Sequence, residues 1–213
     1  MKFVCTSDTH GKHGYLTVPD GDVFLFTGDL SDVGREDELV SFNQFLGNLL
    51  HRYKIVISGN HDLLFELDHG SIRTTITNAI CLENSEVVIE GIRIWGSSWN
   101  PKHFKSGPQL EGEMVPKSKW DLIPAGIDIL LTHEPPLGHG SVTTSARQLG
   151  SADLLDAIRR VKPKYHVFGH VHEGHGIYKE YHDGVEITCI NASAIIDFGN
   201  ELRPPVVFEL PKL

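Results

Sequence analysis

The sequence is short of cysteine, of basic residues and of long apolar runs, and each shortage excludes something. Its three cysteines, Cys5, Cys81 and Cys189, form no metal-ligand spacing. Each sits in an apolar, strand-like context where a free thiol behaves as a small hydrophobe, so all three are assigned to the core. So odd and sparse a count fits a reducing compartment. Lys and Arg number 19 against 28 Asp and Glu, a net charge of -9. That balance argues against a nucleic-acid or anionic-membrane surface. It leaves a phosphate substrate open, because bound metal ions can reverse the local sign. No stretch approaches the ~20 apolar residues of a membrane span. The apolar run after Met1 is too short for a signal peptide. A cytoplasmic protein without membrane attachment is expected.

What is present is an ordinary globular composition, 40% hydrophobic and 22% charged over 213 residues, which suits a single domain over 1–213. Apolar runs bounded by turn residues predict strands at Lys2–Ser7, Val23–Thr27, Lys54–Ile57, Ile127–Leu131, Tyr165–Phe168 and Val206–Leu210. Hairpins are expected about Glu90-Gly91 and about His182-Asp183-Gly184. Glu36–Leu50 reads as an amphipathic helix with Leu39, Phe42, Phe45, Leu46 and Leu49 on one face. Its acids Glu36, Asp37 and Glu38 suit the positive end of the helix dipole. Ser151 can cap a second helix that carries Leu154, Leu155, Ile158 and Val161 to one face and stops at Pro163. Trp95 is assigned to the core, and Gly107–Pro124 reads as a long surface loop able to cover a site.

The chemistry lies at the strand ends. Five strands are followed at once by groups that bind metals: Asp8 and His10; Asp29; Asn60 and His61; His133; His170 and His172. Carboxylate oxygen, amide oxygen and imidazole nitrogen suit Mn, Fe, Zn, Co or Ni. The carboxyl edge of an open α/β sheet is where ligands collect. Residues two apart in an extended segment share a face, so Asp8 meets His10, and His170 meets His172. One such pair is ordinary turn chemistry. Five in order, each after a buried strand, predict a metal site. The 13 histidines exceed that need, and about half are expected in exposed loops.

Asp8-Thr9-His10, Gly28-Asp29, Gly59-Asn60-His61-Asp62, His133 and Gly169-His170-Val171-His172 resemble the five blocks of the calcineurin-like metallophosphoesterase superfamily, over Phe3 to Ala192. More closely, Asp8-Thr-His-Gly11, Thr132 to Gly138, Val167 to Gly174 and Ile190-Asn-Ala-Ser193 are similar to the small brain-type metallophosphoesterase-domain proteins. The resemblance implies an α/β fold, a two-sheet β-sandwich flanked by helices in four αββα layers, with a dinuclear metal site at one edge. It implies Asp8, His10, Asp29 and His172 around a first metal, and Asp29, Asn60, His133 and His170 around a second, with Asp29 as the bridge. The ions would be divalent or mixed-valence, Mn or Fe foremost, with Zn, Co or Ni as alternatives. A metal-bridging hydroxide would attack phosphorus while His61 protonates the leaving oxygen.

The implied activity is phosphodiesterase, with a small nucleotide or cyclic-nucleotide ester as substrate and no stable nucleic-acid complex. A phosphomonoesterase of the same chemistry and a non-catalytic scaffold on the same fold are the alternatives. Val33 stands where protein phosphatases of the superfamily carry arginine, which argues against that class. Lys12, where relatives often have arginine, is with Asn60 a candidate phosphate contact. In metallophosphatases with a Gly-Asp-x-x-Asp motif, the residue matching Asp32 orients the histidine with its carboxylate; the alternative is a cap on the turn or the helix at Glu36. Some members carry glycine where this chain has His170, and Glu134 stands where the close relatives have glycine. Trp99 and Asn100 are candidates to line the site. His139 and His175 are read as exposed loop residues, and His13, His51, His69, His103, His166 and His182 receive no role.

Overall fold

Strands with apolar residues on both faces need a layer on each side. The structure, a computed structural model describing residues 1–62, 74–99, 115–196 and 199–212, provides them. One sheet has the order β11-β1-β2-β3-β4, from β1 (Lys2–Thr6), β2 (Val23–Thr27), β3 (Tyr53–Ile57), β4 (Ile80–Cys81) and β11 (Val206–Glu209). The other has the order β5-β6-β7-β8-β10-β9, from β5 (Ser85–Ile89), β6 (Ile92–Gly96), β7 (Ile129–Leu131), β8 (Tyr165–Phe168), β9 (Gly176–His182) and β10 (Val185–Asn191). β1 to β4 run parallel, as do β6, β7, β8 and β10, while β11, β5 and β9 are antiparallel to their neighbours.

Alternation along each strand sorts the apolar residues into layers. Phe3, Cys5, Leu25, Ile55 and Ile57 face Ile94, Ile129, Leu131, Val167 and Ile190 between the sheets. Val4, Phe24, Phe26 and Val56 point outward, onto Leu39, Phe42 and Leu46 of α1 (Glu36–Asn48). On the far side Trp95, Leu130, Phe168 and Cys189 meet Trp120 of α2 (Lys117–Trp120) and Leu154, Ile158 and Val161 of α3 (Ala152–Val161). The result is the expected αββα sandwich. Each of these buried side chains contributes roughly 1.5–3 kcal/mol.

The parallel strands place their carboxyl ends along one edge of each sheet. A parallel bridge between Ser7 and Ser193, with the Ala194 amide donating to the Ser7 carbonyl at 2.8 Å, joins the two edges where β1 and β10 end.

Several expectations need correction. Strand β7 starts at Ile129, because Asp128 is used as a clamp: its carboxylate accepts the Arg93 amide at 2.9 Å and pairs with Lys164 at 2.9 Å. Of the expected 107–124 loop, 107–114 lie outside the described residues. The rest is packed, with Val115, Trp120 and Ile123 buried and the Arg160 guanidinium donating to the Trp120 and Ile123 carbonyls. Trp99 packs with that same cluster under the Lys119 ammonium, 4.0 Å from its ring, and Asn100 lies outside the described residues. No described histidine is exposed; His69 and His103 lie outside the described residues. Of the cysteines, Cys5 and Cys189 are buried and Cys81 is half-buried. Trp95 is buried as expected.

Candidate metal centre

The chain must leave each strand abruptly to aim a side chain along the sheet edge, and it does so through left-handed backbone. Asp8, His10, Asp29 and His170 have φ of 53°, 44°, 54° and 69°. A residue with a Cβ pays roughly 1–2 kcal/mol for that conformation, least for short polar side chains. Backbone bonds offset the cost. The amides of Asp8, His10 and Gly11 donate to the carbonyls of Gly28, Asp29 and Leu30 at 2.9, 3.1 and 2.9 Å, joining the first two loops. Two glycines open the space the carboxylates fill. A Cβ on Gly59 would stand 2.2 Å from Asp29 Oδ1, and one on Gly169 would stand 2.1 Å from Asp8 Oδ2.

The predicted ligands converge. His10 Nε2 lies 3.2 Å from His172 Nε2 and 3.7 Å from Asp29 Oδ2, and His172 Nε2 lies 3.6 Å from Asp8 Oδ1. That is the first expected set. His133 Nε2 lies 3.3 Å from Asp29 Oδ2 and 3.1 Å from Asn60 Oδ1, which in turn is 2.9 Å from His170 Nδ1. That is the second. One oxygen of Asp29 therefore faces a histidine from each set. Asp8 Oδ1, also 4.0 Å from His133 Nε2, reaches toward both as well, which spacing in the sequence did not suggest.

The donor set fits metal ions. Ligand bonds of about 2.0–2.2 Å hold neighbouring donors roughly 3 to 3.5 Å apart, close to these separations. Asp8 and Asp29 are buried, yet among the described residues their ion-pair partners are all histidines. Buried carboxylates need a cation. Without metal a proton takes that part. Burial alone would lower the His133 imidazole, but Asp29 and Asp8 hold it up at about 10. Burial would raise Asp29, but His133 and His10 draw it well below the usual carboxylate range. At His10 burial prevails over both acids, and its proton affinity falls. Second contacts fix the rings: His133 Nδ1–H donates to the Thr27 carbonyl at 2.8 Å, which turns Nε2 inward. The His170 amide donates to both oxygens of Asp8 at 3.1 Å, and the His61 amide to Asp29 Oδ1 at 2.8 Å.

His61 stands beside the first set, its ring 4.6 Å from that of His10. The expected partner is found, but through the wrong atoms. His61 Nδ1–H donates at 2.6 Å to the main-chain carbonyl of Asp32, not to its carboxylate. The carboxylate is exposed and faces His10 Nδ1 at 3.8 Å, and it caps neither the turn nor the helix, whose N-cap is Arg35. The Lys12 ammonium donates to the Gly199 carbonyl, so its side chain is committed to the main chain rather than turned to the ligand cluster. Glu134 is fully buried, both oxygens without a hydrogen-bond partner among the described residues, and burial pushes its carboxyl up to about 8, which favours the protonated form. His139 and His175 are half-buried and bonded, to Glu180 at 3.2 Å and to the Ser193 carbonyl at 2.9 Å.

Sequence reasoning missed two residues that build the site. Buried Asp62 accepts from the amides of Ser31 and Gly59 at 3.0 and 2.9 Å and from the Ser31 hydroxyl at 2.7 Å, tying the Asp29 loop to the Asn60 loop. Buried Asn191 donates to the Val171 carbonyl, between His170 and His172, at 2.9 Å and to the Gly140 carbonyl at 3.0 Å. Both lie in motifs quoted above, Gly59-Asn60-His61-Asp62 and Ile190-Asn-Ala-Ser193, but neither received a role there.

Comparison with known proteins agrees with this geometry. The calcineurin-like phosphoesterase family matches residues 1–174. Metallophosphoesterase domain-containing protein 1 of Homo sapiens is 38% identical over 99% of this chain and 71% of that protein. The UPF0046 protein C25E10.12 of Caenorhabditis elegans is 37% identical over 99% of this chain and 81% of its own length. A solved structure, 15% identical and covering 89% of each chain, superposes with a TM-score of 0.63 and shares the fold. With its ligand groups, its sandwich and these relatives in agreement, the chain belongs to the calcineurin-like phosphoesterase family of metal-dependent hydrolases.

Proposed function

We propose that the protein is a dinuclear metal-dependent phosphodiesterase acting on a small nucleotide or cyclic-nucleotide ester in the cytoplasm. The observation that carries this is Asp29 Oδ2, set between His10 of one donor group and His133 of the other. Asp8, His10, Asp29 and His172 would hold one ion, and Asp29, Asn60, His133 and His170 the other, with Mn or Fe best suited to this oxygen and nitrogen set. Bound ions supply charge against the phosphate oxygens and acidify water from ~15.7 to about 7, on the order of 12 kcal/mol of easier deprotonation.

The chain supplies position and a proton. With Nδ1–H held by the Asp32 carbonyl, the His61 ring is fixed and its Nε2 is left to carry the proton to the leaving oxygen. Asp62 and Asn191 hold the ligand loops in register. The net charge of -9 favours a small ester over a nucleic-acid polymer. The test joins metal analysis to a panel of mono-, di- and cyclic nucleotide esters. Two ions per chain with faster turnover of diesters is expected. Preference for monoesters would reassign the protein as a phosphomonoesterase, and ligand binding without turnover would leave a scaffold.

A further inference from the structure

We infer that Glu38 is a positioning residue for His61, acting through the turn that carries the Asp32 carbonyl. This rests on the reading of His61 as the proton donor.

The carbonyl that orients His61 belongs to a turn, 32–35, with little of its own to hold it. The side chains of Asp32, Val33 and Arg35 are exposed, so none anchors the turn in the core. Its amides are held instead by one buried carboxylate. Glu38 Oε1 accepts the Asp32 amide at 2.9 Å, and Oε2 accepts the Arg35 amide at 2.9 Å. Glu38 is itself fixed, in the first turn of α1, where the following residue, Leu39, and then Phe42 and Leu46 are packed against β1 to β3. The chain of contacts runs from a helix seated on the sheet, through Glu38, to the amides of Asp32 and Arg35, through the turn held between them to the Asp32 carbonyl, and on to His61 Nδ1 at 2.6 Å. The other flank of the loop is secured separately, by Asp62 on Ser31.

Helix capping explains half of this arrangement. A Glu at the third helical position that accepts the N-cap amide is one arm of a capping box. The bond to Asp32, three residues before the cap, serves no helix. The Asp32 carbonyl belongs to the planar Asp32–Val33 peptide, which lies between the two amides that Glu38 holds, so fixing the turn at both ends limits how far that unit can rotate. A general acid delivers its proton only from hydrogen-bond reach, so a freely turning imidazole loses rate where proton delivery limits the reaction.

Two measurements test this. In metal-free protein labelled with ¹⁵N-histidine, the wild type should show a defined Nδ1–H tautomer of His61 with a slowly exchanging proton. Glu38→Ala should lose that signal. In the metal-loaded enzyme, Glu38→Ala should lower turnover of alkyl phosphodiesters about tenfold and of nitrophenyl phosphodiesters less than about twofold, with metal content unchanged. Glu38→Gln, which keeps the helix cap but leaves one of the two amides without an acceptor, should fall between. It serves if the alanine variant does not fold. His61→Ala is run alongside. If its own loss is independent of the leaving group, the proton-donor reading fails, and the imidazole spectrum alone decides on Glu38. An unchanged His61 signal and unchanged leaving-group dependence in the Glu38 variants, with only a lower melting temperature, would overturn the proposal and leave Glu38 as a cap.

Discussion

At Asp29 a single oxygen faces both donor groups, 3.7 Å from His10 and 3.3 Å from His133, nearer to His133 than the 4.0 Å of Asp8 Oδ1. Asp29→Asn is expected to lose both ions, measured as metal per chain after dialysis; retention of two ions would move the bridge to Asp8. Asp62 binds no metal in this scheme, yet its carboxylate serves four donors in a buried place, the amides of Leu30, Ser31 and Gly59 and the Ser31 hydroxyl. In Asp62→Asn one oxygen becomes an amide nitrogen facing N–H groups. The expected loss is about 1–3 kcal/mol in the denaturant unfolding of metal-free protein; an unchanged midpoint would remove Asp62 from the clamp. Neither its role nor that of the Asp32 carbonyl was legible in the sequence, for two different reasons. Asp62 and Ser31 lie 31 positions apart, and only the fold reveals the pairing. The Asp32 contact is made by a main-chain atom, which every residue type carries alike. The donor side chains that converge were legible because metal binding restricts residue type.

Elements buried on both faces were read almost to the residue, as in β2 and β8, because a continuous apolar run has few other uses. Strand β4 has only two residues, too short for any period to show. The segment around α2 reads as a loop because its lysines and prolines separate Val115, Trp120 and Ile123, and packing with Trp95, Leu130 and Leu154 gathers them, with Arg160 on the Trp120 and Ile123 carbonyls. At the strand-to-loop junctions the fold leaves no slack. A Cβ at Gly169 would sit 2.1 Å from Asp8 Oδ2 and 2.2 Å from the Ser7 hydroxyl oxygen. Gly169→Ala must therefore push β8 and β1 apart at the site. The expected outcome is a folded protein whose first ion binds at least tenfold more weakly, about 1.4 kcal/mol or more, read by titration with Mn. Unaltered affinity would mean that the junction yields elsewhere.

Across the whole molecule, several buried groups shape stability against pH in the metal-free protein, and His166 and Glu134 are two of them besides His133, Asp29 and Asp62. Burial pushes the His166 imidazole from 6.5 down to about 3 and the Glu134 carboxyl from 4.5 up to about 8. On acidification the unfolded chain takes the His166 proton first, so between pH 6.5 and about 3 that group removes ~1.4 kcal/mol of stability per unit. With rising pH the unfolded chain releases the Glu134 proton first, so from 4.5 to about 8 that group removes the same per unit. The Glu134 contribution is read as a difference: the urea-unfolding stability of Glu134→Gln minus that of the wild type should rise by ~1.4 kcal/mol per pH unit from 4.5 to about 8 and be flat outside that window; a difference constant across pH would show that Glu134 ionises freely. The left-handed backbone at the ligands has a further consequence, for descent rather than for chemistry. At φ 69° the backbone of His170 is one that glycine adopts without strain. A lineage relieved of its need for the second ion can thus exchange this ligand for glycine and gain stability in the same step, whereas losing Asn60, which shows no such strain, brings no comparable return. Erosion of the centre is therefore expected to begin at the position of His170.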